Sequence, residues 1–378
     1  MVHVFPTVLY SCMIGMTLLA LLEVFKRPKQ RQNVYLKALM LLLLIHFSGE
    51  LFVYSGAYFY GPSLVGVHLP FRALLGPALF FYAHATMSPD KAIRKPVWAL
   101  TLSGPILVVL VMLPFIFMIS PAEKLALADP AIRDPELWKI AVFTCSSTTF
   151  IFISYTLLFL IMAFKLHDSH RQQLLERFSN IEQRSVDWFR PVLLIWGMVW
   201  LMYAVEFLLG ALGWFWFGSG KLLPVLDVFA LAIFMQKALS QKVLNQSDKG
   251  LPRSNQVRAA LLSTEKMQLI ASKLEHAMKE DKLFSQNNFS LNKLSESISE
   301  TENHISETLS QFLNTNFFQF VNSYRIEQAM TLLTSTNKSV STITFEAGFN
   351  SKSTFNTAFK KATGATPTAY RNEAKMLS

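Results

Sequence analysis

The chain has 378 residues, of which 52% are hydrophobic and only 16% are charged, whereas soluble proteins average about 25% charged residues. The apolar excess is confined to residues 1–240, and residues 241–378 have the composition of an ordinary soluble domain. These values exclude a single soluble globule.

Both parts of the chain are basic. Residues 1–240 have a net charge of +6 and residues 241–378 a net charge of +4, so acidic lipid and nucleic acid are plausible partners. The two cysteines, Cys12 and Cys145, lie inside apolar segments, and the sequence has no CxxC motif or His/Cys cluster. It therefore predicts no disulfide framework, no metal site and no cofactor.

Seven apolar segments in the first 240 residues approach the length of about 20 residues that a helix needs to cross a bilayer. Short polar loops separate them, so we predict a seven-helix transmembrane domain over residues 1–240. The segments cover residues 5–25, 38–58, 66–87, 97–119, 140–164, 191–211 and 222–239.

The distribution of basic residues predicts the topology. No Lys or Arg precedes the first apolar segment and a basic cluster follows it, which indicates a retained helix with its N-terminus outside. The inner loops 26–37, 88–96 and 165–190 then contain thirteen Lys or Arg, against four in the outer loops. Seven crossings of the inner membrane place the chain after residue 240 in the cytoplasm of a bacterium.

The inner loop 165–190 has its own apolar pattern. Leu174, Phe178 and Ile181 recur at helical spacing among charged residues. This spacing indicates either a short amphipathic helix on the inner membrane face or a solvated extension of the fifth helix.

Residues 241–264 are polar and include Gly250 and Pro252, which predicts a linker before a domain at 265–378. In residues 290–313, Leu291, Leu294 and Ile298 mark a short helix, and Thr301 begins a second helix with Ile305, Leu309 and Phe312. Two short helices joined by a tight turn are typical of a helix-turn-helix motif. The sequence thus predicts an all-α protein.

The pattern repeats in residues 340–371, after a connecting helix. Gly348 occupies the turn, Phe349 is expected in the core, and Ser351 can cap a second helix with Phe355 and Phe359. Gly364 then ends this helix.

The stretch GFNSKSTFNTAFKKATGATPTAYR, residues 348–371, resembles the signature of AraC-type transcription regulators, and FFQFVNSYRIEQAMTLL, residues 317–333, resembles their connecting helix. The resemblance covers about residues 265–372. It implies a double helix-turn-helix DNA-binding domain whose motifs contact two successive major grooves of double-stranded DNA. The apolar half is similar to a multi-span variant of this family. Two features carry this resemblance: its architecture and the stretch GPALFFYAHA, residues 76–85.

The resemblance also implies particular DNA contacts. Base contacts are expected from the first motif at Asn303, Ser306 and Glu307, and from the second motif at Lys352, Ser353, Asn356 and Thr357. Phosphate contacts are expected from Lys360, Lys361 and Arg371. Two positions depart from the family: Glu307 stands where a basic residue is frequent, and Asn314 stands where glycine is usual.

Charged residues inside membrane segments are functional candidates because they are costly there. They are Glu50, Arg72, Glu206 and Asp227, and His46 lies one helical turn before Glu50. Under the predicted topology all five lie in the outer half of the bundle. They form either a cavity that senses a small-molecule ligand or a structural set of ion pairs, such as Arg72 with Glu50 or Asp227.

We therefore predict a membrane-anchored transcription regulator that is not an enzyme. The alternatives are a transporter-like protein, or a membrane protein that docks to another, with a regulatory DNA-binding tail. His46 and Glu50 could form a metal pair in a membrane enzyme, but two ligands are too few and no catalytic motif is present. RNA polymerase, a partner protein in the membrane and a second copy of the chain are the other partners considered.

Overall fold

A computed structural model of the chain describes residues 3–88, 91–129, 131–181, 185–212, 220–241 and 262–377. These residues are predominantly helical and include no β-strand, which confirms the all-α prediction. They form two compact units, Met1–Asp168 with Val186–Val243, and Ser169–Ser185 with Leu244–Ser378. Of the predicted linker 241–264, residues 242–261 lie outside the described residues.

Seven segments of the described chain are long and apolar enough to cross a membrane. Their main helices are α1 (Val4–Lys26), α2 (Arg31–Tyr54), α3 (Leu75–Met87), α4 (Lys95–Phe117), α5 (Pro135–Arg177), α6 (Phe189–Ala211) and α7 (Leu222–Ser240). Short helical turns at Ala57–Phe59, Pro62–Leu64, Leu69–Arg72 and Pro121–Ala126 connect them. The prediction of seven apolar helices is therefore confirmed.

The third segment, Pro62–Met87, is interrupted rather than being one continuous helix. Pro70 lies in the first turn of the helix Leu69–Arg72, and Pro77 lies in the first turn of α3. Proline lacks a backbone N–H and is tolerated in a first helical turn, where no helical partner is required. The break therefore positions Arg72 at the end of a short helix, beside α2.

The outer faces of these helices are as apolar as their packed faces. Leu19 and Met198, for example, remain 71% and 70% exposed, whereas Met13 and Phe159 are fully buried. Helices that are apolar on all sides are typical of membrane spans. The first unit therefore has the apolar outer surface that is expected of a membrane-spanning bundle.

The described residues of the second unit form seven further helices, which lie in the C-terminal part of the chain. They are α8 (Thr264–Lys279), α9 (Leu291–Ile298), α10 (Glu302–Glu307), α11 (Phe317–Ser335), α12 (Val340–Glu346), α13 (Lys352–Thr363) and α14 (Pro367–Leu377). A π-helical turn, Thr308–Phe312, follows α10, and a 3₁₀ turn, Leu283–Ser285, follows α8.

The pairs α9–α10 and α12–α13 are the two helix-turn-helix motifs, and α11 joins them. Thr301 caps α10 by accepting a hydrogen bond from the amide of His304, and Ser351 caps α13 by accepting one from Thr354. Phe317 on α11 is buried in a core with the first motif, and Leu333 is buried in a core with the second. The connecting helix therefore contributes to both motifs.

The predicted turn residues have the backbone conformations that their positions require. Gly348, Gly364 and Asn314 have φ values of 89°, 80° and 50°, so each is left-handed, as expected. Phe349 is fully buried, as predicted. Phe312 lies in the π-helical turn and is 37% exposed, whereas Leu309 is buried.

Residues 169–185 fold with the second unit. The helix α5 extends to Arg177, and the predicted apolar stripe of Leu174, Phe178 and Ile181 forms a buried cluster with Phe318 of α11. The apolar side of this extension is therefore covered by the DNA-binding part of the protein instead of by water.

Candidate functional site

The second recognition helix, α13, has two distinct faces. Phe355 and Phe359 are fully buried and fix the helix to its core. The opposite face is solvent-exposed and polar. It presents Lys352, Ser353, Asn356, Thr357 and Lys360. Their spacing of three to four residues places them along one side of the helix, as major-groove contact requires.

Basic residues flank the end of this polar face. Lys360 and Lys361 border a shallow depression that also includes Asn356 and Thr357, and its other wall is the start of α14 at Thr366–Thr368. Lysine ammonium groups beside polar side chains suit contact with a phosphate next to a base edge. This face of the unit thus combines the group types needed for base and phosphate contacts.

The first recognition helix is less open. Asn303 is exposed, whereas Ser306 and Glu307 are half-buried. One carboxylate oxygen of Glu307 accepts a hydrogen bond of 3.0 Å from the amide of Leu262, just before α8. This bond ties Glu307 to the start of the domain.

Arg371 has an internal role in the structure. Its Nε atom donates to the carbonyl of Leu333 at 3.3 Å, and its Nη2 atom donates to the carbonyl of Lys338 at 2.6 Å. These bonds hold α14 against the end of α11. The guanidinium is therefore already engaged by two backbone carbonyls.

A buried arginine, Arg325, lies at the centre of the second unit on α11. Its guanidinium donates hydrogen bonds to the carbonyls of Phe284 (2.8 Å) and Gln286 (3.0 Å). Further bonds reach the Ser179 hydroxyl at 3.0 Å and the Asn180 amide oxygen at 3.2 Å. These contacts of Arg325 were not predicted, because no local pattern in the sequence marks Arg325 and the distant Asn180 as partners.

Ser179 and Asn180 together contact both halves of the DNA-binding unit. The Ser179 hydroxyl donates to the carbonyl of Phe289, beside the first motif. The Asn180 side-chain amide donates to the carbonyls of Asn287 and of Gly348, the turn glycine of the second motif. This short segment therefore bridges the two motifs.

The first unit contains a polar cavity. Of the predicted intramembrane residues, His46, Glu50, Arg72 and Asp227 line it together. Glu206 is not among its lining residues. The remainder of the wall is mainly aromatic and includes Tyr10, Tyr54, Phe152, Trp196, Trp200 and Tyr203.

The cavity lies towards the end of the bundle where α1 and α7 begin and α2 ends, since Tyr10, Asp227 and Tyr54 line it. The helix α6 contributes residues from its middle, between positions 196 and 203. Glu50 is at its centre, with one carboxylate oxygen 3.9 Å from Nη1 of Arg72. The Arg72 guanidinium lies over the rings of Phe152 and Tyr203, with centroid distances of 4.2 and 4.3 Å. The suggested ion pair between Arg72 and Glu50 is therefore present.

The same carboxylate oxygen of Glu50 approaches two histidines. It lies 3.8 Å from Nδ1 of His46 and 3.7 Å from Nε2 of His68. Sequence reasoning missed His68, because it lies between helices and 18 residues after Glu50. Only the break in the third membrane segment brings it beside α2.

Comparison with known proteins identifies the C-terminal unit. Residues 294–373 match the family described as a helix-turn-helix domain. Two uncharacterized HTH-type transcriptional regulators of Staphylococcus aureus, from strains COL and MSSA476, are each 31% identical over 128 residues. The aligned region covers 34% of this chain but only 16% of each relative.

A solved structure, the C-terminal domain of AraT, a response regulator from Geobacillus stearothermophilus, is 28% identical. The alignment covers 30% of this chain and 88% of that one, with a TM-score of 0.25.

The two motifs and the family match define a helix-turn-helix DNA-binding domain. This domain is of the AraC type, as the signature at residues 348–371 predicts.

Proposed function

We propose that this protein is a membrane-anchored, one-component transcription regulator and has no enzymatic activity. The supporting observation is that one chain combines seven apolar helices with a recognition helix whose polar face is exposed. Its DNA binding is controlled by a signal sensed in the bundle. The excess of basic residues in alternate loops supports an outer N-terminus and a cytoplasmic C-terminal unit at the inner membrane.

The second motif supplies most of the base recognition in this proposal. Lys352 can donate to guanine acceptors, and Asn356 can pair with adenine, with Ser353 and Thr357 as smaller contacts. Lys360 and Lys361 bind phosphates. We assign Arg371 to holding α14 in place, because its Nε and Nη2 atoms each donate to a backbone carbonyl.

The first motif contributes a weaker set of contacts. Asn303 and Ser306 face the groove, whereas Glu307 must give up its bond to Leu262 before it can accept from a cytosine amino group. We therefore propose that this motif contributes mainly to the affinity and the positioning of the domain on DNA, and less to base recognition.

The signal is sensed at the cavity around Glu50. A polar ligand that binds Glu50 or Arg72 competes with the 3.9 Å ion pair between α2 and the short helix Leu69–Arg72. Such a ligand favours a bundle state in which this pair is open. Asp227 places α7, the helix that precedes the linker, at the same cavity.

A reporter gene controlled by the protein's own target promoter tests the sensing role. We expect Arg72→Ala and Glu50→Gln to fix the reporter at one level whatever the stimulus, while the amount of protein in the membrane is unchanged. The matched control is Glu136→Gln at the exposed start of α5, which should respond normally. Normal response in both cavity variants would exclude the cavity as the sensor.

A further inference from the structure

Three metal-ligating side chains converge in the membrane unit. His46 and Glu50 lie one turn apart on the same face of α2, and His68 precedes the short helix Leu69–Arg72. One ligand atom from each residue lies within 4.8 Å of the other two. All three side chains are largely buried, with exposures between 12% and 19%.

The approach of His68 depends on a glycine. A β-carbon at Gly49 would lie 2.2 Å from Cγ of His68, which is far inside contact distance. Any other residue at position 49 would displace the His68 ring. The sequence of α2 therefore leaves a space that this imidazole fills, next to His46 and Glu50.

The cluster also contains an unused donor or acceptor. Nδ1 of His46 is buried and has no hydrogen-bond partner among the described residues. An unpaired buried polar atom is costly unless a ligand satisfies it. Zn²⁺ binds imidazole nitrogen and carboxylate oxygen at about 2.0–2.2 Å in a tetrahedral arrangement, so its ligand atoms are about 3.3 Å apart. The observed separations of 3.7 and 3.8 Å need only small side-chain rotations to reach this value.

We propose that His46, Glu50 and His68 bind a divalent transition-metal ion, with Zn²⁺ the best match for this donor set. Two histidines and one carboxylate leave a fourth coordination position for water or another ligand. Of the three ligands, His46 and Glu50 also line the cavity. This proposal rests on the proposed function, because it names the chemical class of the signal at the same cavity.

The ion and Arg72 compete for one carboxylate oxygen of Glu50. Arg72 does not depend on Glu50 alone, because the faces of Phe152 and Tyr203 also stabilise its charge. Asp227, which lines the same cavity, offsets the added positive charge. Metal binding therefore weakens the ion pair of Glu50 and Arg72, which connects α2 to the helix Leu69–Arg72. The ion acts on the bundle by weakening this ion pair.

Direct metal binding tests this site in the full-length protein. The detergent-solubilised chain is stripped with chelator, titrated with Zn²⁺ and analysed for bound metal after desalting; Co²⁺ provides a visible absorption band as a second readout. We expect one ion per chain. His46→Ala and His68→Ala should each weaken binding at least about tenfold, and Gly49→Ala should also weaken it without removing a ligand.

His84→Ala on α3 is the matched control and should bind as the parent does. Absence of Zn²⁺ binding by folded parent protein, or binding unchanged in both His46→Ala and His68→Ala, would overturn the proposal. DNA binding by the same preparations without metal is measured in parallel. If DNA binds and Zn²⁺ does not, only the metal site is excluded; if Zn²⁺ binds and DNA does not, the regulator proposal fails instead.

A separate observation concerns the loop that joins α5 to α6. Its residues Ser179 and Asn180 contact the carbonyls of Phe289, Asn287 and Gly348, so they bridge both helix-turn-helix motifs. They also bind the buried Arg325 of the connecting helix. The helix α5 runs without a break to Arg177, just before Ser179, and α6 begins at Phe189.

We infer that residues 169–181 form an internal clamp, an integral part of the DNA-binding unit that fixes the two motifs relative to each other. Contact with two successive grooves requires a fixed spacing between recognition helices. A movement of the C-terminal end of α5 or of the N-terminal end of α6 then alters the spacing between the recognition helices directly. The clamp provides a route from bundle to DNA that does not pass through the linker after α7.

Hydrogen exchange and DNA binding of the full-length protein test the clamp. We expect the Ser179→Ala, Asn180→Ala double variant to exchange the amides of α11 faster and to bind DNA at least about tenfold more weakly, as expected for the loss of a buried hydrogen-bonded contact. Gln172→Ala, an exposed position in the same segment, is the control and should change neither value. Parent-like exchange and DNA affinity in the double variant would overturn the inference.

Discussion

The Nη1 atom of Arg325 lies 3.2 Å from the side-chain oxygen of Asn180, although the two residues are 145 positions apart in the chain. Among the described residues, the hydrogen-bond acceptors around this guanidinium are neutral carbonyl, amide or hydroxyl oxygens. Burial lowers the pKa of Arg325 to about 9, so the side chain remains charged at neutral pH. A buried charge without a carboxylate partner depends on these oxygens for its stability.

Replacement of Arg325 by lysine should destabilise the C-terminal unit. Lysine keeps the charge but cannot reproduce the planar set of donors, so several buried oxygens lose their partner. We expect a loss of about 3 kcal/mol, by analogy with other broken buried charge networks. Hydrogen exchange of α11 and α12 in the full-length protein measures it. Lys293→Arg, at an exposed position of α9, should have no effect; equal protection in both variants would contradict the role of Arg325.

Base and phosphate contacts should separate in a binding experiment. Asn356→Ala removes a base contact, so we expect a loss of about 1–3 kcal/mol on the target site and little change on unrelated DNA. Lys361→Ala removes a phosphate contact and should weaken binding to both DNAs and reduce the salt dependence of log Kd by about one unit. Gel-shift titrations at several salt concentrations provide both values. A salt-independent affinity would contradict phosphate contacts altogether.

The two left-handed glycines of the second motif should differ in their tolerance of a side chain. At Gly348 a β-carbon would lie 2.6 Å from the carbonyl oxygen of Phe284, whereas at Gly364 it would meet nothing within 4 Å. Both positions have positive φ, which costs about 1 kcal/mol for alanine. Gly348→Ala should therefore destabilise the unit by several kcal/mol and Gly364→Ala by about 1 kcal/mol. Equal thermal unfolding of the two variants would show that the contact with Phe284 is unimportant.

The C-terminal unit should lose stability in acid partly through Glu300. Its carboxylate accepts a hydrogen bond of 2.7 Å from Lys273, and this bond holds the pKa of Glu300 below its ordinary value near 4.5. A carboxyl whose pKa is lower in the folded state stabilises the fold above its unfolded pKa. That stabilisation disappears as the pH falls through the folded pKa.

Circular dichroism of the full-length protein between pH 7 and pH 3 measures this loss. Glu300→Gln should start less stable at pH 7 and show a smaller decrease below pH 4.5, where the unfolded carboxyl begins to bind protons. Glu296→Gln, at an exposed position of α9, should follow the parent. A parent-like pH profile of Glu300→Gln would contradict this contribution.

Local sequence patterns were sufficient for most of the fold. Apolar runs predict the membrane helices because lipid requires them to be apolar on all sides. Gly348, Gly364 and Asn314 were assigned correctly because a left-handed turn restricts the residue type. The π-helical turn Thr308–Phe312 was not predicted, because it leaves no mark in the apolar spacing that would distinguish it from an α-turn.

The sites were only partly predictable, because they are assembled from distant segments. Glu50 and Arg72 were identified as site candidates because a charged side chain is costly in lipid. Nothing in the sequence near His68 showed that Gly49 leaves room for its ring. Similarly, Leu174, Phe178 and Ile181 indicated an apolar face without showing that Phe318 covers it. Contacts between segments more than 100 residues apart have no periodic signal in one sequence.

Mapping of the chromosomal DNA that cross-links to the full-length protein in the membrane fraction tests the central claim most directly. We expect discrete enriched sites that share a sequence motif and that disappear in the Asn356→Ala, Thr357→Ala double variant while the protein remains in the membrane. Uniform background in the parent, or the same sites in the double variant, would contradict a membrane-anchored protein that recognises DNA through α13.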